Sequence, residues 1–133
     1  MKVDMTNLPS QFTGIALKNP EKTAVFWGET TYTFGRAHGL AKRLAKRLRE
    51  EHGLQPGDRV GLWLKNCPEF IFSLFGILLA EGVVVSINSF LTLDEVGFIL
   101  GDCEAKVLIS EASMAEGTAK LRERLPQLDV IEV

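Results

Sequence analysis

The side chains that most often carry catalysis are few in this sequence, and they are not grouped. Cys67 and Cys103 form no Cys-x-x-Cys pair, and no basic neighbour obviously lowers the pKa of either thiol. His38 has no nucleophile or carboxylate implied nearby, and His52 lies in the last turn of a helical stretch, where a positive tip suits the helix end. These patterns favour small core cysteines, a surface or half-buried His38 and a capping His52. No catalytic residue and no metal site is predicted.

The sequence also lacks the usual phosphate-binding motifs. The twelve glycines contain no Gly-x-Gly-x-x-Gly, and none is followed by lysine, so both standard phosphate loops are absent. The basic run Lys42–Arg49 alternates with an apolar stripe, and no aromatic residues interleave with it for base stacking. With a net charge of −2, the sequence favours a solvated helix face there and indicates no nucleic-acid partner and no anionic membrane surface.

The elements that must position any site follow from apolar periodicity and from Gly and Pro punctuation. Helices are predicted over residues 8–17, 34–52, 68–81, 93–101 and 111–125. Strands are predicted over residues 23–27, 30–33, 59–64, 83–87, 106–109 and 129–133. The first two strands flank Gly28-Glu29 and predict a hairpin. The remaining segments predict an α/β fold with a mainly parallel sheet and helices on both faces.

The predicted fold is built around one strand–helix–strand unit, from Trp63 to Ile87. Pro68 suits the first helical position, with Asn66 or Cys67 as the cap. The helix that follows is apolar nearly all round, which predicts burial on most sides. The run Val83–Val85 has no alternation, which predicts a strand covered on both faces, and the whole unit is expected at the centre of a parallel sheet. Further along, Thr92 and Glu95 have the spacing of a capping box.

The length of the chain predicts one domain over residues 1–133. Residues 1–6 show no helix or strand pattern. The N-terminus has no signal-peptide features, and the longest apolar stretch, Phe70–Ala80, is much shorter than the ~20 residues of a membrane span. We therefore expect a soluble, cytoplasmic protein. The chain ends inside an apolar strand, which indicates truncation.

Three blocks in order resemble a known family. They are Pro56–Val60 (PGDRV), Asn66–Phe70 (NCPEF) and the strand from Gly82 to Asn88. From about Leu8 to Val133 the chain is similar to the N-terminal portion of AMP-forming acyl-CoA synthetases, in the superfamily that contains luciferases and the adenylation domains of peptide synthetases. Each block also has a scaffold role, as turn, capped helix start or tight helix-to-strand connection, so the match bears on fold and ancestry more than on catalysis.

The sequence departs from the family pattern at a few positions. Arg36 stands where the family often has Glu, which breaks a capping box with Thr33, and Ser86 and Ser89 replace common prolines. The resemblance implies a parent enzyme that activates a carboxylic acid, expected to be a fatty acid, as its adenylate and passes the acyl group to a thiol such as coenzyme A. It implies ATP, Mg and CoA for the parent, but no position here matches the family's ATP-binding motifs.

The fragment alone is therefore expected to be inactive and to bind none of these cofactors. Its expected partner is the remainder of the parent chain, and self-association through an exposed sheet surface is also expected. If any residue here touches a ligand, the candidates are Asn88, Ser89 and Phe90, which follow a buried strand at its carboxyl end. An ordinary strand-to-helix loop is the favoured interpretation of these residues. The alternative function is a self-contained, non-catalytic α/β binding module.

Overall fold

The computed structural model describes residues 7–133, so the expectation for residues 1–6 lies outside the described residues. The helices are α1 (Leu8–Lys18), α2 (Phe34–Glu50), α3 (Pro68–Leu79), α4 (Leu93–Asp102) and α5 (Ala115–Arg124). The strands are β1 (Thr23–Trp27), β2 (Thr30–Thr33), β3 (Arg59–Leu62), β4 (Val83–Ser86), β5 (Val107–Ser110) and β6 (Asp129–Glu132). None of the helices in this part of the chain is long and apolar enough to cross a bilayer.

Four strands form a parallel sheet in the order β4-β3-β5-β6. Val60 of β3 is paired with Val84 of β4 on one side and with Val107 of β5 on the other. The strands β1 and β2 form a separate antiparallel hairpin, in which Gly28 has a φ of 59° in the connecting turn. Glycine adopts this left-handed conformation without steric cost. The predicted parallel sheet and hairpin are both confirmed.

Helices cover both faces of the sheet, as predicted. Alternate residues of a strand point to opposite faces, and the inner strands divide their side chains in this way. On one face Val60 and Leu62 lie in a cluster with Leu48 of α2 and Ile77 of α3. On the other face the cluster contains Trp63, Ile87, Val96, Leu100, Leu108, Leu121 and Leu128, so α4 and α5 cover it.

The prediction that the strand–helix–strand unit lies at the centre of the sheet is confirmed for its first strand, β3, and wrong for its second, β4. Strand β4 is an edge strand within residues 7–133, and Val83 is 46% exposed. The inner strands are β3 and β5, and every residue of β5 is buried. A run of β-branched residues reports that a strand has apolar faces, but it does not report how many strands pair with it. Self-association through this edge stays a prediction.

The prediction that α3 is buried on most sides holds in part: Ile71 is exposed at 36%, and the other residues of α3 are buried or half-buried. The buried side of α3 faces two clusters. Ile77 packs toward the sheet, and Phe72 joins a third cluster with Phe12, Ala37 and Ala41 from α1 and α2.

Helices α2 and α3 come very close together at Gly76. A Cβ atom at this position would lie 3.0 Å from the Ala41 carbonyl oxygen and 3.0 Å from the Leu44 Cβ atom. Both of these atoms belong to, or are attached directly to, the backbone of α2, so neither can rotate away. The absence of a side chain at Gly76 therefore sets the separation of the two helices.

Helix starts follow the predicted capping chemistry with one exception. Thr92 and Glu95 form the complete capping box of α4, as predicted. Thr33 caps α2 by accepting a hydrogen bond from the Arg36 N–H, and the Arg36 guanidinium lies 4.7 Å from the centre of the Tyr32 ring. Cys67 occupies the cap position of α3 without a side-chain hydrogen bond, so Pro68 alone supplies the start signal.

Several predicted boundaries shift by one or two residues, and one predicted helix is divided. Strand β3 ends at Leu62 rather than at residue 64, although the backbone N–H of Trp63 still donates to the Ile109 carbonyl. The predicted helix 111–125 is a short 3-10 turn, Ala112–Met114, followed by α5.

We predict that Gly76→Ala destabilises the fold by about 1–3 kcal/mol, because the added methyl group overpacks the contact between α2 and α3. The matched control is Gly39→Ala, at an exposed position of α2 where a Cβ atom would have no neighbour within 4 Å. That variant is expected to gain up to ~1 kcal/mol from helix propensity. Urea unfolding measures both. Equal stability of the two variants would contradict the close helix approach.

Candidate functional site

A groove lies where β3 and β4 end, between the turn that leads into α3 and the turn that leads into α4. Its volume is about 440 Å³. The lining residues come from these two strand ends, their turns and the first turn of α3: Leu64, Lys65, Asn66, Phe70, Ser86, Ile87, Asn88, Ser89 and Phe90. We call it the strand-end groove. All three predicted ligand-contact residues, Asn88, Ser89 and Phe90, line it.

Backbone hydrogen bonds fix the turn after β4. The N–H of Ile87 donates to the Leu62 carbonyl at 3.0 Å, which continues the pairing with β3 by one residue. The Asn88 side-chain oxygen then accepts from the Phe90 N–H at 2.9 Å. This contact is typical of Asx turns. The Phe90 ring, 93% exposed, therefore projects from a turn whose backbone is held in place.

The turn after β3 supplies the charge of the strand-end groove. Lys65 and Asn66 are exposed, and the Lys65 Nζ atom lies 3.6 Å from a Glu111 carboxylate oxygen at the end of β5. The Ser113 hydroxyl donates to the same oxygen at 2.6 Å. The carboxyl ends of three neighbouring strands thus bring Lys65, Glu111 and Asn88 to one edge of the sheet, where ligands bind in open α/β sheets.

Sequence reasoning did not include Lys65, Asn66 and Glu111 among the candidates. The signal was present, because each follows a predicted strand just as Asn88 does. The missing information was the strand order, since only the neighbouring positions of β4, β3 and β5 bring these three turns together.

The two histidines lie away from the strand-end groove, and both differ from expectation. His38 is buried rather than surface or half-buried, and its Nε2 atom lies 3.1 Å from the Thr13 hydroxyl. Burial, and to a smaller extent the nearby charge of Lys42, lowers the pKa of His38. His52 follows the end of α2 but does not cap it. Its Nδ1 atom lies 2.9 Å from an Asp129 carboxylate oxygen at the start of β6.

Neither cysteine forms a disulfide, and both are half-buried rather than core residues. Cys67 precedes α3, but burial raises the pKa of its thiol, which disfavours the nucleophilic thiolate. The residues lining the strand-end groove include no histidine, cysteine or carboxylate. Between residues 7 and 133, no three His, Cys, Asp or Glu side chains cluster in a way that could hold a metal ion. The strand-end groove can bind polar and aromatic groups, but these side chains offer no nucleophile paired with a base.

Comparison with known proteins identifies the scaffold. The sequence profile of a protein family described as AMP-binding enzyme matches residues 12–133. The chain belongs to this family. This result confirms the resemblance seen in the ordered sequence blocks.

Two relatives illustrate the range of this AMP-binding family. The chain is 38% identical over 103 residues to a long-chain-fatty-acid–CoA ligase of Bacillus subtilis, covering 77% of this chain and 18% of the relative. It is 36% identical over 105 residues to bacitracin synthase 3 of Bacillus licheniformis, covering 79% of this chain and 2% of the relative.

A solved structure shows the same fold. The anthranilate CoA ligase AuaEII, in complex with anthranoyl-AMP, superimposes with a TM-score of 0.86 at 29% identity, covering 98% of this chain and 27% of that one. The predicted α/β fold of an adenylate-forming enzyme's N-terminal part is confirmed. The chain spans about a quarter or less of the length of each of these three proteins.

The buried His38 predicts a pH dependence of stability. Because its pKa is lowered in the folded state, the unfolded chain binds a proton more readily, and stability is lost as the pH falls below about 6.5, the ordinary histidine pKa. We expect the free energy of unfolding to decline below this pH more steeply for the native protein than for His38→Gln. The difference is at most about 1.4 kcal/mol per pH unit, the limit for one proton.

Urea titrations of both proteins between pH 7 and pH 5 measure the two slopes. All other ionisable groups are common to both proteins, so their contributions cancel in the comparison. Parallel curves would show that His38 does not contribute.

Proposed function

We propose that this chain is the N-terminal portion of an adenylate-forming acyl-CoA ligase that activates a carboxylic acid, with a fatty acid as the substrate class. The observation that carries the proposal is the family match over residues 12–133. The similarity to a long-chain-fatty-acid–CoA ligase supports the choice of acid. In the reaction the carboxylate attacks the α-phosphorus of ATP, pyrophosphate leaves, and a thiol then displaces AMP from the acyl adenylate.

The residues of this chain do not fit the nucleotide or its metal. Binding of ATP with Mg requires backbone N–H groups or several cations around the phosphates and oxygen ligands for the metal. The sequence has no standard phosphate loop, and the one cation of the strand-end groove, Lys65, lies near Glu111. We therefore assign no adenylation step to this chain. ATP, Mg and CoA belong to the proposed parent enzyme.

The part played by this chain is that of a scaffold with one ligand-facing edge. The sheet, covered on both faces, holds the turns at the strand-end groove in fixed positions. Phe90 offers an exposed ring, and Asn66, Ser89 and Lys65 offer polar groups beside it. We propose that Asn88, Ser89 and Phe90 form one wall of a ligand site completed by the remainder of the parent chain.

A cytoplasmic location is part of the same proposal. Its support is that Cys67 and Cys103 are both free thiols, as is usual in a reducing compartment. Fractionation of cells that produce the whole protein tests this location, and recovery outside the cytoplasm would overturn it.

The first test is ATP–pyrophosphate exchange with a panel of carboxylic acids. The 133-residue chain alone is expected to show no exchange, whereas the whole protein is expected to show exchange that depends on a fatty acid. Exchange by the 133-residue chain would overturn its assignment as a non-catalytic part. No exchange by the whole protein with any acid would instead favour a non-catalytic α/β binding module.

The second test addresses Phe90 in the whole protein. We expect Phe90→Ala to raise the KM of at least one of the three substrates by about threefold or more, since an aromatic contact is worth about 0.5–1.5 kcal/mol. The control is Phe98→Ala, which removes a ring that is 73% exposed on α4 and does not line the strand-end groove. Equal KM values in the two variants would remove Phe90 from the site.

A further inference from the structure

A second groove runs between α1, α2 and the end of α3. Its volume is about 610 Å³, within the range of small-molecule sites. Lys42, Lys46, Arg49 and the single carboxylate Glu50 of α2 line it, α1 contributes Thr13 and Leu17, and α3 contributes Leu79. We call it the α1–α2 groove. It shares no lining residue with the strand-end groove.

The cations of the α1–α2 groove form one stripe. Lys42, Lys46 and Arg49 are spaced by four and three residues, so they lie on the same face of α2. The opposite wall brings no counter-charge, because the sequence of α1 contains no Asp or Glu. The first acidic residue of α2 is Glu50. This local excess of positive charge occurs in a chain whose net charge is −2.

Intramolecular contacts satisfy only part of this charge. Arg49 donates to the carbonyl oxygen of Leu79 at the end of α3, which gives it a structural role. The Lys46 ammonium lies 4.0 Å from Glu50, and both side chains are largely exposed, so the pair is weak. No ion pair links Lys42 to an acid in the described chain from residue 7 onward. Lys42 lies in the middle of α2. It is therefore too far from the last turn for the helix dipole to stabilise its charge.

The floor and rim of the α1–α2 groove are neutral or apolar. His38 lies at its base, hydrogen-bonded to Thr13, and burial together with Lys42 lowers the pKa of the imidazole. Near neutral pH the floor therefore carries little charge of its own. Leu17 is 61% exposed at the rim, and Leu79 lies on the α3 side. The cationic side chains of the groove therefore lie next to exposed aliphatic surface.

We propose that the α1–α2 groove binds an amphipathic phosphate, with the phosphate between Lys42 and Lys46 and the aliphatic part against Leu17 and Leu79. Four residues of helix separate the two ammonium-bearing positions by about 6 Å along the axis, so one phosphate can contact both long side chains. A phosphate monoester carries more charge than a carboxylate, and its three oxygens accept from two ammonium groups at once. This inference is independent of the proposed ligase activity.

The probe is octyl phosphate, titrated below its micelle concentration into the full chain and followed by amide NMR shifts and calorimetry. We expect shifts centred on Thr13, His38 and Lys42. The double variant Lys42→Gln/Lys46→Gln is expected to weaken binding at least about tenfold, because both charge-assisted contacts are lost. The control is Lys120→Gln/Arg122→Gln, which removes the same charge from the exposed face of α5 and is expected to bind as the native chain does.

Equal weakening by the two double variants would overturn the site, because it would show an effect of net charge alone. Absence of shifts in α1 and α2 at saturating octyl phosphate would overturn it as well. The charge-neutral variant Leu17→Ser tests the aliphatic contact. It is expected to weaken octyl phosphate about threefold and to leave inorganic phosphate binding unchanged. Unchanged octyl phosphate binding in Leu17→Ser would overturn the amphipathic part of the proposal.

The phosphate can belong to a soluble metabolite or to a lipid headgroup, and vesicles distinguish these sources. Co-sedimentation with vesicles of phosphatidic acid in phosphatidylcholine that is lost in Lys42→Gln/Lys46→Gln would assign the lipid source. Octyl phosphate binding without vesicle binding would assign a soluble ligand. Both results support the groove, and failure of both probes would overturn it.

Discussion

Helix α3 can lie against α2 only because residue 76 has no side chain. The Ala41 carbonyl and the Leu44 Cβ atom occupy the space that any larger residue would need. This contact lets one helix serve two clusters, since Ile77 completes the core over the sheet while Phe72 completes the cluster under α1. The same contact holds α3 in place against α2, and the turn that carries Lys65 and Asn66 leads directly into α3. Both grooves therefore depend on how closely these two helices approach.

Local signals predicted the elements that depend on local chemistry. The hairpin was set by its Gly-containing turn, and α4 was set by the Thr92–Glu95 capping box. Apolar patterns failed where burial depends on distant parts of the chain. The sequence of β4 resembles an inner strand, yet no strand within residues 7–133 pairs with its outer side, and α3 is apolar on a side that remains exposed. His52 was misplaced for the same reason, since its partner Asp129 lies 77 residues away.

The same difference between local signals and long-range contacts applies to the candidate site. The rule that ligands meet the carboxyl ends of parallel strands was sufficient to select Asn88, Ser89 and Phe90 from one strand. Adding Lys65 and Glu111 required the neighbours of that strand, which are determined by long-range pairing. The resemblance to adenylate-forming enzymes came from turn and cap residues that keep the scaffold in shape. Such residues identify a family well and say little about its chemistry.

The strand order also determines when the neighbours of β3 become available as the chain is synthesised on the ribosome. Strand β3 is an inner strand, but its two neighbours are made at different times: β4 follows it directly, and β5 emerges only after α4. At ordinary elongation rates, the roughly twenty residues between the end of β4 and the start of β5 take about one to four seconds to make. During that interval one edge of β3 and the apolar side chains around it have no native neighbour. A chaperone that recognises nascent chains would find an exposed strand edge there.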